Sequence, residues 1–273
     1  MKRFILLCAI ASLFCTAAYG WSRREHAIVA KIAEKHLTPK AKEHLYKYMD
    51  RRSLVYYASY ADDYKSILLL DLDWQPSNTG KKVTIPHTFT VDEQYRPLRS
   101  AKVGDKYVKN NIYYTDIWAK ELKANHKKMK DSVRMTHLFQ IIHAIGDMHC
   151  PVHVRYPHDN TSGQYNIFYG KKRKNYHTFW DGEFIGPSFS VRSFNDLADY
   201  FDICNEKQIE EICKGDIYDW GEEVARISVP IRAYKPNEVI DPLQFRVAYL
   251  GTAEELIRKA GYRLAKILND IFE

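Results

Sequence analysis

The stretch His143-Ala-Ile-Gly-Asp147-Met-His149-Cys150-Pro151-Val-His153 decides how this chain is read. Its first half ends a helix-periodic segment, 131–149, that Pro151 cannot extend. On that helix His143 and Asp147 are four residues apart, so both side chains leave one face with their donor atoms adjacent. An imidazole and a carboxylate one turn apart form a chelate for zinc, whose usual ligands are His nitrogen and Asp or Glu oxygen. A single pair of this kind is most often an ordinary helix-face contact. Here the pair recurs at His177-Thr-Phe-Trp-Asp181, and His153 stands between the two.

Upstream, three more residues of ligand type appear: His87, Asp62, and His26 five residues after Trp21. Alone, His26 reads as an amphipathic-face histidine and Asp62 as a solvated carboxylate beside Asp63. The downstream cluster moves both to the metal reading. The other six histidines, His36, His44, His126, His137, His149 and His158, read as surface or packing residues.

The first twenty residues have the form of an export signal, with basic Lys2-Arg3, an apolar run 4–14 and Ala18-Tyr-Gly20 as a small-x-small cleavage site. The run is too short to span a bilayer, and no later stretch does so. Cleavage after Gly20 leaves 253 of the 273 residues, beginning at Trp21, enough for one large core. The signal carries two basic and no acidic residues, so the net charge falls from +7 to +5. Mildly basic, the mature chain suits a polyanionic substrate without specifying one. Cys150, Cys204 and Cys213 remain; in an exported protein Cys204 and Cys213 are expected to form a disulfide. Cys150 is left over between ligand candidates. Of a fourth metal ligand and a small buried residue at a helix end, the second is preferred.

The rest of the pattern is helical. Apolar spacing predicts helices over 22–36, from Thr38-Pro39, and over 54–70, 112–125, 196–204, 208–229 and 242–271. Residues 71–108 read as irregular with a short hairpin, and 157–174 as a polar loop with a short strand at 164–169. Neither an internal repeat nor a change of composition marks a second domain. One all-α, multi-helix domain, 21–273, is the expectation.

The ordered set Trp21-x4-His26, Tyr-Ala-Asp62, His87, His143-x3-Asp147-x5-His153 and His177-x3-Asp181 resembles the secreted zinc-dependent single-strand nucleases of the nuclease S-one / P-one family, relatives of zinc-dependent phospholipase C. The resemblance covers the whole mature chain, including Ala260-Gly-Tyr-Arg-Leu-Ala-Lys-Ile-Leu-Asn269 as the family's last helix. It implies three zinc ions per chain. One would be held by Asp62, His87, His143 and Asp147; a second by His26, shared Asp147, and the amine and carbonyl of Trp21. The third would be held by His153, His177 and Asp181. The resemblance further implies that Asp62 orients or deprotonates the attacking water, with Lys65 a nearby cation and Asn166 facing the scissile phosphate. Departures are visible too. The Asp-x-Gly-Gly-Asn stretch reads His158-Asp-Asn-Thr-Ser-Gly-Gln-Tyr-Asn166, Cys150 stands where Gln is usual, and Thr88-Phe-Thr-Val-Asp92 lacks the Asp that reads a base in fungal members. Phe89 is the one stacking candidate named for a nucleobase. Twenty tyrosines offer others, each more often a core residue. Lys171-Lys-Arg-Lys174 reads as a solvated loop.

The function expected is therefore that of an exported (periplasmic or secreted), monomeric zinc phosphodiesterase. It would cut single-stranded DNA and RNA to 5′-phosphorylated products and act on 3′-nucleotides. A phospholipase C is the rival enzyme, disfavoured because that branch carries Glu where Asp181 stands. An exported zinc-storing protein is the rival of another class, disfavoured because storage needs neither Asp62 as a water-orienting base nor Lys65.

Overall fold

Ser22 opens the first helix, α1 (Arg23–Lys35): its hydroxyl accepts from the Arg24 N–H and donates to the Glu25 carboxylate. The computed structural model describes residues 21–63, 86–159, 161–186, 190 and 192–273, so the expected signal segment and Lys65 lie outside the described residues. After α1 come α2 (Pro39–Tyr48), capped by the Thr38 hydroxyl, and two short helices, α3 (Leu54–Tyr57) and α4 (Tyr60–Asp63). The strand β1 (Phe89–Thr90) and the hairpin β2 (Lys102–Val103) and β3 (Lys106–Tyr107) precede α5 (Asn111–Asn125) and α6 (Asp131–Met148). A 3-10 turn, Pro151–His153, leads into β4 (Val154–Arg155). The hairpin β5 (Asn166–Tyr169) and β6 (Lys172–Asn175) is followed by α7 (Tyr176–Thr178) and a π turn, Phe179–Glu183. The chain closes with α8 (Phe194–Phe201), α9 (Glu206–Ile212), α10 (Ile217–Ile231), β7 (Val239–Ile240) and α11 (Pro242–Phe272).

Helices dominate, and the strands are two to four residues long. From Glu25 to Ala30 every residue of α1 is buried, as are Ile32 and Ala33, so this helix is a central post rather than a surface one. It lies against α11, α8, α3 and α6. Gly261 permits the closest approach: a Cβ there would stand 2.6 Å from Ile32 Cβ. α6 is buried continuously from His137 to Met148. Trp21, Trp118, Trp180, Tyr176 and Tyr262 join one continuous core around these two helices, which makes the molecule a single domain.

Three differences from the sequence expectations have local causes. The helix expected over 54–70 is broken after Tyr57, and its continuation beyond Asp63 lies outside the described residues. The helix expected over 208–229 is two: Gly215, at φ +80°, stops α9 from continuing, and Asp216 caps α10. The Cys204–Cys213 disulfide is not formed, and both thiols are free. Cys204 precedes α9 and Cys213 caps its far end. Nine residues along a helix span about 13 Å, twice the Cα separation a disulfide tolerates.

Candidate metal centre

Asp147 is the penultimate residue of α6, fully buried, with a different set of imidazoles at each oxygen. Its Oδ2 lies 2.7 Å from His87 Nδ1 and 3.0 Å from His143 Nε2, and those two nitrogens are 3.1 Å apart. Its Oδ1 lies 3.4 Å from His26 Nε2 and 3.4 Å from His153 Nδ1. Asp62, on α4, places Oδ2 3.7 Å from His143 Nε2 and Oδ1 3.7 Å from His87 Nδ1. Five of the expected ligands, from five separate segments of the chain, thus meet around one carboxylate.

The fold explains how. Pairing of β1 with β4 in parallel, Phe89 opposite Val154, carries His87 and His153 to the C-terminal end of α6. Gly146 makes room for His26: a Cβ there would stand 2.6 Å from His26 Nδ1. The His26 ring stacks on His143 at 4.1 Å. His143 Nδ1 meets the Ala58 carbonyl at 2.8 Å, and a carbonyl only accepts, so Nδ1 bears a proton and Nε2 is the ring nitrogen left to face the cluster.

The second group is a few ångströms away. His177 Nε2 is 3.2 Å from Asp181 Oδ2; His153 Nε2 and Cys150 Sγ are each 3.5 Å from Asp181 Oδ1. Asn175 caps α7, which holds His177, and the π turn that follows holds Asp181, so the expected one-turn pair is split between two kinds of helix. The Ser162 carbonyl receives His177 Nδ1–H, again leaving Nε2 for the cluster. The His153 and His177 rings stack at 5.1 Å.

Electrostatically these groups make sense around cations. Burial pushes His26 down to about 4 and also lowers His87, His153 and His177, so these imidazoles stay neutral, as ligands must. Burial opposes charge on His143 as well, but Asp147 and Asp62 outweigh it and raise the ring to about 9. Burial would raise Asp147; His143, His153 and His87 overcome it and hold this carboxyl well below its usual range. Asp181, with less compensation, is pushed up by burial to about 8. Both ring nitrogens of His26 and of His153, together with Asp147 Oδ1 and Asp181 Oδ2, have no hydrogen-bond partner among the described residues. Buried polar atoms are rarely left so. The mutual separations of the His87, His143 and Asp147 donors are all short enough for one ion to touch all three at about 2.0–2.1 Å. The donor set therefore fits zinc.

A cleft of about 630 Å³ opens onto this centre, lined by Asp62, Asp181 and, from the start of α1, Arg23, Arg24 and Glu25. Sequence reasoning missed Glu25, whose Ser22-x-x-Glu25 spacing was the available signal. Buried and bonded to the Ser22 hydroxyl, Glu25 is pushed up to about 7 by its burial. Cys150, read as a packing residue, lies within reach of a common ion with His153 and Asp181. Trp21 is fully buried at the start of α1, its indole packed in the core. Asn166 begins β5 in register with Asn175, the residue that caps the His177 helix. Phe89 requires a correction. As a core-facing residue of β1 it has no exposed surface, so it offers no ring face to a nucleobase. Residues 172–174 of the basic run form strand β6 rather than a loop.

The S1/P1 nuclease family model matches residues 21–273. The chain is also similar to a curated relative, Endonuclease 2 of Arabidopsis thaliana, at 24% identity over 278 residues, covering 93% of this chain and 91% of that protein. With the match running through every element that supplies the centre, the chain belongs to the S1/P1 nuclease family.

Proposed function

We propose that this protein is a three-zinc phosphodiesterase that hydrolyses single-stranded DNA and RNA, leaving 5′-phosphates, and that it also removes the phosphate of 3′-nucleotides. One observation carries the reading: the two oxygens of Asp147 face different imidazoles, His87 and His143 on one side and His26 on the other, as a carboxylate shared by two ions would. Asp62, His87, His143 and Asp147 would hold one ion. His26, Asp147 and the terminal amine and carbonyl of Trp21 would hold its neighbour. His153, His177 and Asp181 would hold the third. Zinc in these places supplies Lewis acidity, which lowers the pKa of water and offsets charge gathering on the phosphoryl and leaving oxygens.

The chain's own groups do the rest. Asp62, which lines the cleft, would orient water and accept its proton. Arg23 and Arg24 on the cleft wall supply positive charge toward a phosphodiester backbone, although Arg23 is also paired with Asp63 at 3.1 Å. Lys65 and Asn166 keep their proposed places beside the phosphate on the family resemblance alone. Buried Phe89 is withdrawn as a stacking residue.

No helix among the described residues is long and apolar enough to cross a membrane. The proposed setting is export, periplasmic or secreted, as a monomer, with residues 1–20 removed; the family match beginning at Trp21 supports that boundary. Elemental analysis of purified protein should find three zinc ions per chain, and chelation should abolish cleavage of single-stranded DNA and release of phosphate from 3′-nucleotides. Undiminished cleavage by metal-free protein, or one zinc in fully active protein, rejects the proposal.

A further inference from the structure

We propose that Cys150 is the fourth protein ligand of the His153–His177–Asp181 site, so that this ion is held by a thiolate, a carboxylate and two imidazoles. The inference rests on the third-ion part of the functional reading and deepens it. Three observations lead to it. The Cys150 side chain is completely buried, and its Sγ, a His153 ring nitrogen and an Asp181 oxygen lie within 4.8 Å of one another. Sγ and His153 Nε2 stand at the same 3.5 Å from a single atom, Asp181 Oδ1. Zinc–sulfur and zinc–oxygen bonds of about 2.3 and 2.0 Å at a tetrahedral angle put sulfur and oxygen about 3.5 Å apart, so one ion reaches both without moving either. Independently of the cysteine, His153 is fully buried with neither ring nitrogen hydrogen-bonded among the described residues, and its Nε2 faces the same oxygen.

The local chain makes this placement rigid. Cys150 N–H bonds to the Asp147 carbonyl at 3.0 Å, and His153 N–H to the Cys150 carbonyl at 2.9 Å. Pro151 starts the 3-10 turn between them. Cys150 and His153 therefore sit at opposite ends of one tight turn, a short chelate whose backbone is fixed from both sides. On metal binding the S–H bond breaks, its proton passes to solvent and the sulfur lone pair goes to the ion.

Two consequences follow for this site alone. A thiolate makes it softer than the Asp147 pair, favouring zinc or cobalt over magnesium or manganese. Four protein ligands also fill a tetrahedral shell, so a substrate oxygen reaches this ion only by raising it to five-coordination.

The test uses cobalt in place of zinc and needs no turnover. Metal-depleted protein is titrated with cobalt(II) while near-ultraviolet absorption is followed for a thiolate-to-cobalt charge-transfer band, and the zinc-loaded wild type is examined by X-ray absorption. The expected result is three cobalt per chain, with a charge-transfer band that survives in a Cys204→Ser/Cys213→Ser variant and disappears in Cys150→Ser. The zinc spectrum should contain a sulfur neighbour near about 2.3 Å. Affinity for one of the three ions should fall on the order of tenfold or more in Cys150→Ser, whose circular dichroism should match the wild type. Three ions bound with no sulfur neighbour would overturn ligation by Cys150 and leave the third site standing. Two ions only would remove the third site and the cysteine with it. Because the X-ray measurement is made on wild-type protein, a Cys150 variant that fails to fold does not stop the decision.

Discussion

The Nε2 of His26 lies 3.4 Å from Oδ1 of Asp147, and neither side chain has more than about one per cent of its surface exposed. The contact joins the central helix α1 to the end of α6, and it exists only because residue 146 is glycine. A methyl group at 146 would stand 2.6 Å from His26 Nδ1 and 2.8 Å from its Cε1. The ring cannot retreat easily, since its other face is stacked on His143. Gly146→Ala is therefore expected to push His26 off its ligand position. Zinc content should fall by about one ion, single-strand cleavage by about tenfold or more, and stability by about 1–3 kcal/mol from overpacking. Zinc analysis, initial rates and a denaturant curve on the variant check this together; wild-type zinc and rate would show that the His26 contact has no part in metal binding.

Asp62 and Asp147 are both carboxylates of the centre, yet amide substitution should affect them differently. Asp62→Asn keeps an oxygen toward the metal but loses the charge that accepts a proton, so turnover should fall at least about a hundredfold with zinc largely retained. Asp147→Asn should strip metal from both sides of the carboxylate, because both of its oxygens are in use. Rates and zinc content measured side by side separate the two roles. An Asp62→Asn protein as fast as wild type would remove Asp62 as the base.

The gathering of His and Asp side chains was legible because one-turn spacing on a helix puts both members of a pair on one face. His143 to Asp147 is one α turn, and His177 to Asp181 spans a turn even where the backbone has become π. The start of α2 was legible for the same local reason: Thr38-Pro39 opens the helix, and the Thr38 hydroxyl caps it. What escaped was non-local. Nothing near Phe89 announces that β1 will pair with β4, sixty-five residues on, and that pairing is what buries the ring and delivers His87 and His153 together. Lys172 to Lys174 look like a solvated loop, but Gly170 at φ +59° turns the chain back and makes them a strand against β5. The expected cysteine pairing fails through local geometry: nearness in sequence is not nearness in space, and α9 separates the two thiols.

Away from the metal centre, His137 gives the chain an acid liability. It is 1% exposed, its ring lies parallel to Trp118, and neither ring nitrogen is hydrogen-bonded among the described residues. Burial lowers it from 6.5 to about 4. The unfolded chain therefore takes up a proton that the folded chain refuses. The stability this neutral ring contributes is complete above pH 6.5 and is lost as pH falls toward 4. At about 1.4 kcal/mol per pH unit the loss amounts to roughly 3 kcal/mol. His137→Leu should flatten the acid limb of a stability–pH curve. Urea midpoints of chelated protein between pH 7 and 4.5 would show it, with metal release kept out of the comparison; parallel curves for wild type and variant would exclude His137.

The last prediction concerns Trp21, whose indole is spent on the core and leaves only its backbone for chemistry. If the first twenty residues are removed, its nitrogen becomes an α-amine with an unperturbed pKa of about 7.7–8.0, which must be neutral to donate to zinc. In the uncleaved chain the same nitrogen is an amide whose lone pair is delocalised into the carbonyl. The ion beside His26 should then lack a ligand, and the protein should be a poor nuclease until the signal is cut. Two proteins make the comparison, one beginning at Trp21 and one carrying a single extra Gly before it. The first should bind one more zinc, or bind it more tightly, and cleave single-stranded DNA faster. The advantage should shrink as pH falls below about 7, where a free amine is increasingly protonated and competes less well for metal. Equal zinc content and equal rate at every pH would mean that the amine is not a ligand, and the second ion would have to be held by His26 and Asp147 with groups other than Trp21.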